Sequence, residues 1–305
     1  VKSLKRIFVQ STAELAARCP RFVERYAGKQ DDFGLDVEYF AKTEHYLRFL
    51  REDWFKTKVI GIENIPSEGA AIIAGNHNGT LPIDLFMLTD AVLNLHPENR
   101  LIRFLVHDCF YWDKHLRNFM SRMGEARANY INAVKLLKQG ELCGIYPAGE
   151  RSMGQPLSNK YKIGECRSGC VRAAIETQSP IIPVITVGNV EATPVVFNSK
   201  FLANLFQVPY FSFTHFYPWL PYPANSIPLP VKFLIYIGKP IYLKHPPEAA
   251  SDRELVMKIT RELQEYLQIQ LDELVALRKS YIRGWDSKEL EDWVKGAQHE
   301  FATRA

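Results

Sequence analysis

The segment Gly75-Asn76-His77-Asn78-Gly79-Thr80-Leu81-Pro82-Ile83-Asp84 brings an imidazole and a carboxylate into one short turn. An aspartate that binds one nitrogen of an imidazole makes the other nitrogen a better base for taking a proton from a hydroxyl. A plain helix start accounts for part of the segment: Thr80 as N-cap, Pro82 in the first turn, Asp84 favoured by the helix dipole. It gives no reason for His77 or for the glycines around it. A second segment, Tyr146-Pro147-Ala148-Gly149-Glu150-Arg151-Ser152, sets an arginine on a glycine-bearing turn. A guanidinium fork there suits a phosphate or a carboxylate. The competing reading is an exposed arginine on a surface loop.

Both turns need a scaffold. Residues 70–74 read as a short apolar strand running into the first turn, and 85–95 as the apolar helix after it. Residues 142–146 read as a buried strand running into the second. Turns at strand ends are rigidly held and are where catalytic groups gather in α/β folds. Further strands are expected at 58–62, 101–106, 181–187 and 231–237, with helices at 111–120, 129–138 and 165–177. The alternation predicts an α/β fold with a largely parallel central sheet flanked by helices.

Helical extensions are expected at both ends. The first thirty residues and 37–55 read as basic, aromatic helices, suited either to an anionic membrane surface or to capping the core. Near the other end, Ser251 and Glu254 form a capping-box pattern ahead of Leu255, Ile259, Leu263, Leu267, Leu271 and Leu274 at helical spacing, and a short helix is expected at 288–301. The expected division is an N-terminal helical region over 1–55, an α/β core over 56–245 and C-terminal helices over 246–305. Between strands, residues 201–230 are crowded with aromatics and prolines that forbid a long helix. Such a segment suits a membrane interface, the mouth of an acyl-chain pocket, or a loop packed over the core.

Composition closes off other classes. A formal charge of +4 on 305 residues gives no argument for nucleic acid. No stretch reaches the apolar length needed to span a bilayer. Five cysteines form no disulfide framework and suit a reducing cytosol; Cys166 and Cys170 lack the partners of a metal site. Ser152 lacks the glycine spacing of a hydrolase nucleophile elbow, Cys170-Val171 stands where a P-loop needs Lys-Ser/Thr, and no Gly-x-Gly-x-x-Gly occurs.

Taken together, the two turns resemble the His-Asp and Arg-bearing blocks of the glycerolipid (lysophospholipid) acyltransferase superfamily. Ile181-Ile182-Pro183-Val184 resembles a later block of the same family, and the resemblance runs from about Trp54 to Tyr242. Leu81-Pro82-Ile83-Asp84 is similar to the monoacylglycerol and diacylglycerol acyltransferase-like branch. The chain departs from the pattern in three places. Asn78 through Ile83 separate His77 from Asp84, two more than usual; Ala148 replaces a glutamate; and the arginine of the block at Met123-Gly124-Glu125-Ala126-Arg127 falls either at Arg127 or at Arg122. The resemblance implies an O-acyltransferase in which His77 is the base and Asp84 orients it. Asn76 and Gly79 belong to a turn whose N–H groups stabilise an oxyanion, worth roughly 3 kcal/mol per donor. The resemblance also implies substrate-binding roles for Gly149, Arg151 and Arg127. It implies an acyl-CoA or acyl-carrier-protein donor, a glycerolipid or lysophospholipid acceptor, no metal and no other cofactor. The expected location is cytoplasmic and peripheral to the membrane. The alternative is a non-catalytic lipid-surface binding protein that keeps the fold, for which Ala148 and the altered arginine block argue.

Overall fold

The computed structural model describes residues 11–155, 161–208, 210–221, 224–296 and 301. In chain order the helices are α1 (Thr12–Arg18), α2 (Pro20–Tyr26), α3 (Val37–Phe49), α4 (Ile83–Leu95), α5 (Cys109–Trp112), α6 (Lys114–Arg122), α7 (Tyr130–Lys138), α8 (Gly169–Thr177), α9 (Asn189–Ala192), α10 (Lys200–Leu205), α11 (Arg253–Ala276) and α12 (Ser287–Gly296). The strands are β1 (Lys58–Ile60), β2 (Ala71–Gly75), β3 (Ile102–Val106), β4 (Ala126–Arg127), β5 (Leu142–Ile145), β6 (Ile181–Val187), β7 (Val195–Asn198), β8 (Ser212–Thr214), β9 (Leu234–Ile237), β10 (Arg278–Ser280) and β11 (Gly284–Trp285).

Seven strands form the central sheet in the order β1-β9-β6-β2-β5-β3-β4. The run β6-β2-β5-β3-β4 is parallel, as the alternation predicts. β9 is antiparallel to β6, with Leu234 opposite Val187, and β1 follows β9 in direction. The cause is the excursion between β6 and β9. It contains a separate β7–β8 hairpin and returns the chain to the edge where β6 ended, so β9 must run back.

Side chains alternate across β2: Ala71 and Ile73 enter one core layer with α4, while Ile72 and Ala74 enter the other with α7, α8 and α11. The helix that follows β2 thus lies on one face, and the helix that follows β5 lies on the other. β2 and β5 are neighbours, so a crevice opens between their C-terminal ends, at a topological switch point. Both chemistry-bearing turns leave the sheet there.

The N-terminal helices pack Leu15, Phe22 and Phe40 against Leu93 of α4. A largely buried polar set stitches the same contact: Arg18 pairs with Glu44 at 2.6 Å, Asn94 donates to Glu44 at 2.9 Å, and Arg51 pairs with Asp90. Several boundaries differ from the sequence expectation. The first described stretch is two short helices broken at Pro20, a residue that opens a helix and does not continue one. Residues 109–122 are two helices separated at Asp113, which caps α6. The N-cap of α11 is Asp252 rather than Ser251, its carboxylate accepting from the N–H groups of Glu254 and Leu255. The helix expected from 165 begins only at Gly169. The first ten residues and most of 297–305 lie outside the described residues.

Candidate active site

β2 delivers His77 and the first turn of α4 delivers Asp84. His77 Nδ1 lies 2.8 Å from Asp84 Oδ2, and both side chains are nearly buried. Asp84 Oδ1 accepts from the Leu85 N–H at 2.9 Å, and the helix N-terminus favours its charge. The carboxylate is therefore fixed before it meets the imidazole. With a proton on Nδ1 shared toward Asp84, Nε2 is the nitrogen left to act as a base.

The loop between them is braced from outside. Asn76 bonds the backbone of Thr186 twice, accepting at 2.8 Å and donating at 2.9 Å, and donates to Asn78 at 2.8 Å. Asn189 donates to the carbonyls of Asn78 and Leu81. Gly79 is required here: its φ is +113° and an added Cβ would stand 2.8 Å from Asn189. Thr80 does not cap α4 but donates to the Thr193 carbonyl at 3.2 Å, and Tyr210 donates to the Thr80 carbonyl at 2.7 Å. Asn76 and Gly79 thus shape the loop from behind the imidazole.

The imidazole also rests on an aromatic face. Tyr146, at the end of β5, stacks on His77 with the rings 4.2 Å apart and 1° from parallel, and Phe104 lies against Tyr146 at 5.2 Å. The Tyr146 hydroxyl is buried without a partner among the described residues, and burial holds the phenol protonated. Tyr146 ends the strand expected at 142–146 and opens the arginine-bearing segment, with no role assigned to its ring. Its position directly before the arginine turn was the available signal.

His77, Tyr146 and Leu85 line a cavity of about 410 Å³, within the usual range for small-molecule sites. Its walls are mostly apolar: Leu105, Ile145, Phe110, Ala133, Val208 and Met153 contribute. The polar exceptions include His107, Asn129, Glu150 and Arg167. Gly149 lines the cavity with φ +53°, on the turn that carries Glu150.

The expected arginines go elsewhere. Arg151 turns to Glu165 at 2.9 Å and also donates to the Glu165 carbonyl, and it is not among the cavity-lining residues. Arg127 is exposed and bound through two donors to Asp108, at 2.6 and 2.9 Å; it too is outside the lining. Arg122 pairs with Asp36. The arginine at the cavity is Arg167, which pairs with Glu150. It gets there because residues 161–168 are not helical. The N–H groups of Ile163 and Cys166 donate to Gln268 and Gln264 of α11, at 2.8 and 2.9 Å. His107 also lines the cavity.

Among the described residues no group of three or more His, Cys, Asp or Glu side chains could hold a metal ion. Cys109 and Cys170 line the cavity, but burial pushes both thiols up, away from the reactive thiolate.

Residues 56–187, which include both turns, match the family model described as Acyltransferase. The chain is 36% identical over 257 residues to an uncharacterised protein of Mycobacterium leprae, covering 83% of this chain and 70% of the relative. It is 28% identical over 188 residues to a Bos taurus protein named "DGAT1/2-independent enzyme synthesizing storage lipids", covering 62% of this chain and 53% of that one. Among solved structures, the 1-acyl-sn-glycerophosphate (LPA) acyltransferase PlsC of Thermotoga maritima aligns with a TM-score of 0.47 at 18% identity, over 81% of this chain and 87% of that chain. The chain belongs to the Acyltransferase family whose model matches residues 56–187, and is an acyltransferase.

Proposed function

We propose that this acyltransferase moves a fatty acyl group from an acyl thioester, acyl-CoA or acyl-carrier protein, to a hydroxyl of a glycerolipid or lysophospholipid. The observation that carries the reading is the His77–Asp84 pair at 2.8 Å on the wall of a largely apolar cavity. In the proposed step His77 Nε2 takes the hydroxyl proton while the acceptor oxygen bonds to the thioester carbon. Asp84 stabilises the imidazolium that forms. N–H groups of the 76–80 turn meet the oxyanion. Collapse breaks the carbon–sulfur bond, and the imidazolium returns its proton to the departing thiolate. No acyl-enzyme is needed, in keeping with cavity cysteines whose thiols are held protonated.

The same scheme has the protein working at a membrane surface. Phe201, Phe206 and Trp219 are more than half exposed on the segment whose Val208 and Tyr210 wall the cavity. Exposed aromatics beside an acyl pocket suit a lipid interface. Among the described residues no helix is long and apolar enough to cross a membrane.

The test is acyl transfer from labelled long-chain acyl-CoA, then from acyl-carrier protein, to lysophosphatidate, other lysophospholipids, monoacylglycerol and diacylglycerol. Turnover on one acceptor class, abolished in His77→Ala, is expected. Equal turnover by wild type and His77→Ala would refute the scheme.

A further inference from the structure

Resting on the function proposed above, we propose that Arg167, held by Glu150, is the residue that receives a substrate phosphate, the place that resemblance gives to Arg151.

The two arginines differ in what their side chains reach. Arg151 spends its Nη1 on the carboxylate and the carbonyl of Glu165, outside the cavity. Arg167 lines the cavity together with His77. Its backbone N–H donates to the Pro147 carbonyl at 2.9 Å, which ties it to the turn that follows Tyr146. Its side chain passes Gly149, where an added Cβ would stand 3.5 Å from Nη1. Glu150 takes one N–H from each terminal nitrogen of the guanidinium. A guanidinium has five N–H donors in a planar fork, so about three stay open to a ligand. That fork matches phosphate oxygens and is the stronger kind of anion contact.

Glu150 sets the terms of access. Partial burial pushes its carboxyl up, but the bonds from Arg167 and the attraction of Arg167 and His107 outweigh this and hold it below the usual range. The carboxylate therefore occupies the fork as an internal anion, and a phosphate must share or displace it. A phosphate-free hydroxyl acceptor meets a neutralised pair instead. Loss of Arg167 should thus harm phosphate-bearing substrates selectively, and loss of the Glu150 charge should help them. Arg167 is about half exposed, so the ion pair itself adds little stability and the variants should fold.

The experiment measures initial rates for wild type, Arg167→Ala, Arg167→Lys, Glu150→Gln and Arg151→Ala with four substrate pairs. Donors are acyl-CoA and the acyl thioester of N-acetylcysteamine, which lacks phosphate; acceptors are lysophosphatidate and monoacylglycerol. Arg167→Ala should raise KM by about ten- to hundredfold for the phosphate-bearing substrate and by much less for the phosphate-free pair. Arg167→Lys should recover part of the loss, and Glu150→Gln should lower the same KM. Arg151→Ala should cost less than Arg167→Ala. An effect that follows lysophosphatidate assigns the acceptor's phosphate, and one that follows CoA assigns the donor's. Titration of CoA and lysophosphatidate into His77→Ala reads the same contact without turnover, and adding Arg167→Ala must weaken one of them. The inference is overturned if Arg167→Ala shifts every arm equally or none, or if Arg151→Ala has the larger effect. Wild-type turnover that needs His77 but ignores Arg167 would remove this inference alone; absence of turnover on all four pairs would remove these donors and acceptors from the proposed function, and the titration would still decide Arg167.

Discussion

The two turns that meet at the cavity have similar ingredients but hold their polar side chains differently. In the turn after β2, His77 binds Asp84 within the turn and neutral amides brace the rest: Asn76 on the Thr186 backbone, and the Asn189 side chain on the Asn78 carbonyl. In the turn after β5, Glu150 and Arg151 reach out to a later loop, Glu150 to Arg167 and Arg151 to Glu165. The first turn is mostly buried; its His–Asp pair is local in sequence, and its bracing comes from residues 186–210. The second is half-buried with Arg151 exposed, and its charges pair with a loop that α11 holds through Gln264 and Gln268. A base that must sit in one orientation suits the first kind of construction. A head-group contact that must open and close suits the second.

Breaking the first turn should have the larger consequence. Asp84→Asn leaves the hydrogen-bonding shape but removes the charge that sets the imidazole tautomer and supports the imidazolium. The expected loss in kcat is about 10²- to 10⁴-fold with KM little changed, read from steady-state rates on the best acceptor. A loss confined to KM would mean that Asp84 only holds the loop.

Tyr146 joins the two turns, and its substitution should act on the first through the second. The ring lies under His77 at 4.2 Å, where its face stabilises a developing imidazolium. Tyr146→Leu should lower kcat by roughly five- to tenfold, because the imidazolium that forms in the transition state loses its aromatic face. Tyr146→Phe keeps the face and discards a hydroxyl that has no partner among the described residues, so it should retain wild-type rates and lose no stability. Equal damage from both substitutions would show that the hydroxyl, not the face, matters.

The smallest effect should be on stability alone. Glu125 is fully buried and accepts from the N–H of Phe104, the residue whose ring backs Tyr146, at 2.7 Å. Burial pushes its carboxyl up to about 8, against an ordinary value of 4.5. Between those values the folded protein holds a proton that the unfolded chain has released, so this group's contribution to stability falls as pH rises and levels off above about 8. Glu125→Gln does not titrate. Melting temperatures of wild type and variant should therefore diverge from pH 5 to pH 8, with wild type falling relative to the variant. A constant gap across that range would show that Glu125 is ionised throughout.

Much of the fold was legible because apolar runs and turn residues alternate cleanly from β2 to β6. The antiparallel β9 was not, since no local pattern says at which edge the chain re-enters the sheet after the β7–β8 hairpin. His77 and Asp84 were legible because one turn holds both. The place of Arg167 at the cavity was not legible because residues 165–177 read as one helix, whereas two glutamines about a hundred positions later hold the N–H groups of Ile163 and Cys166 outside it. Gly164 and Gly169, poor residues for a helix interior, were the signal that the helix starts late. Thr80 misled for a related reason: a loop carbonyl from Thr193 claimed the hydroxyl that a helix start would have used.

The central claim is that His77 is the base of acyl transfer. The most direct test is the single-turnover rate of His77→Ala at saturating donor and acceptor, with donor affinity measured on the same preparation. The account predicts a rate at least about 10³-fold below wild type with donor affinity retained. A rate within tenfold of wild type would contradict it.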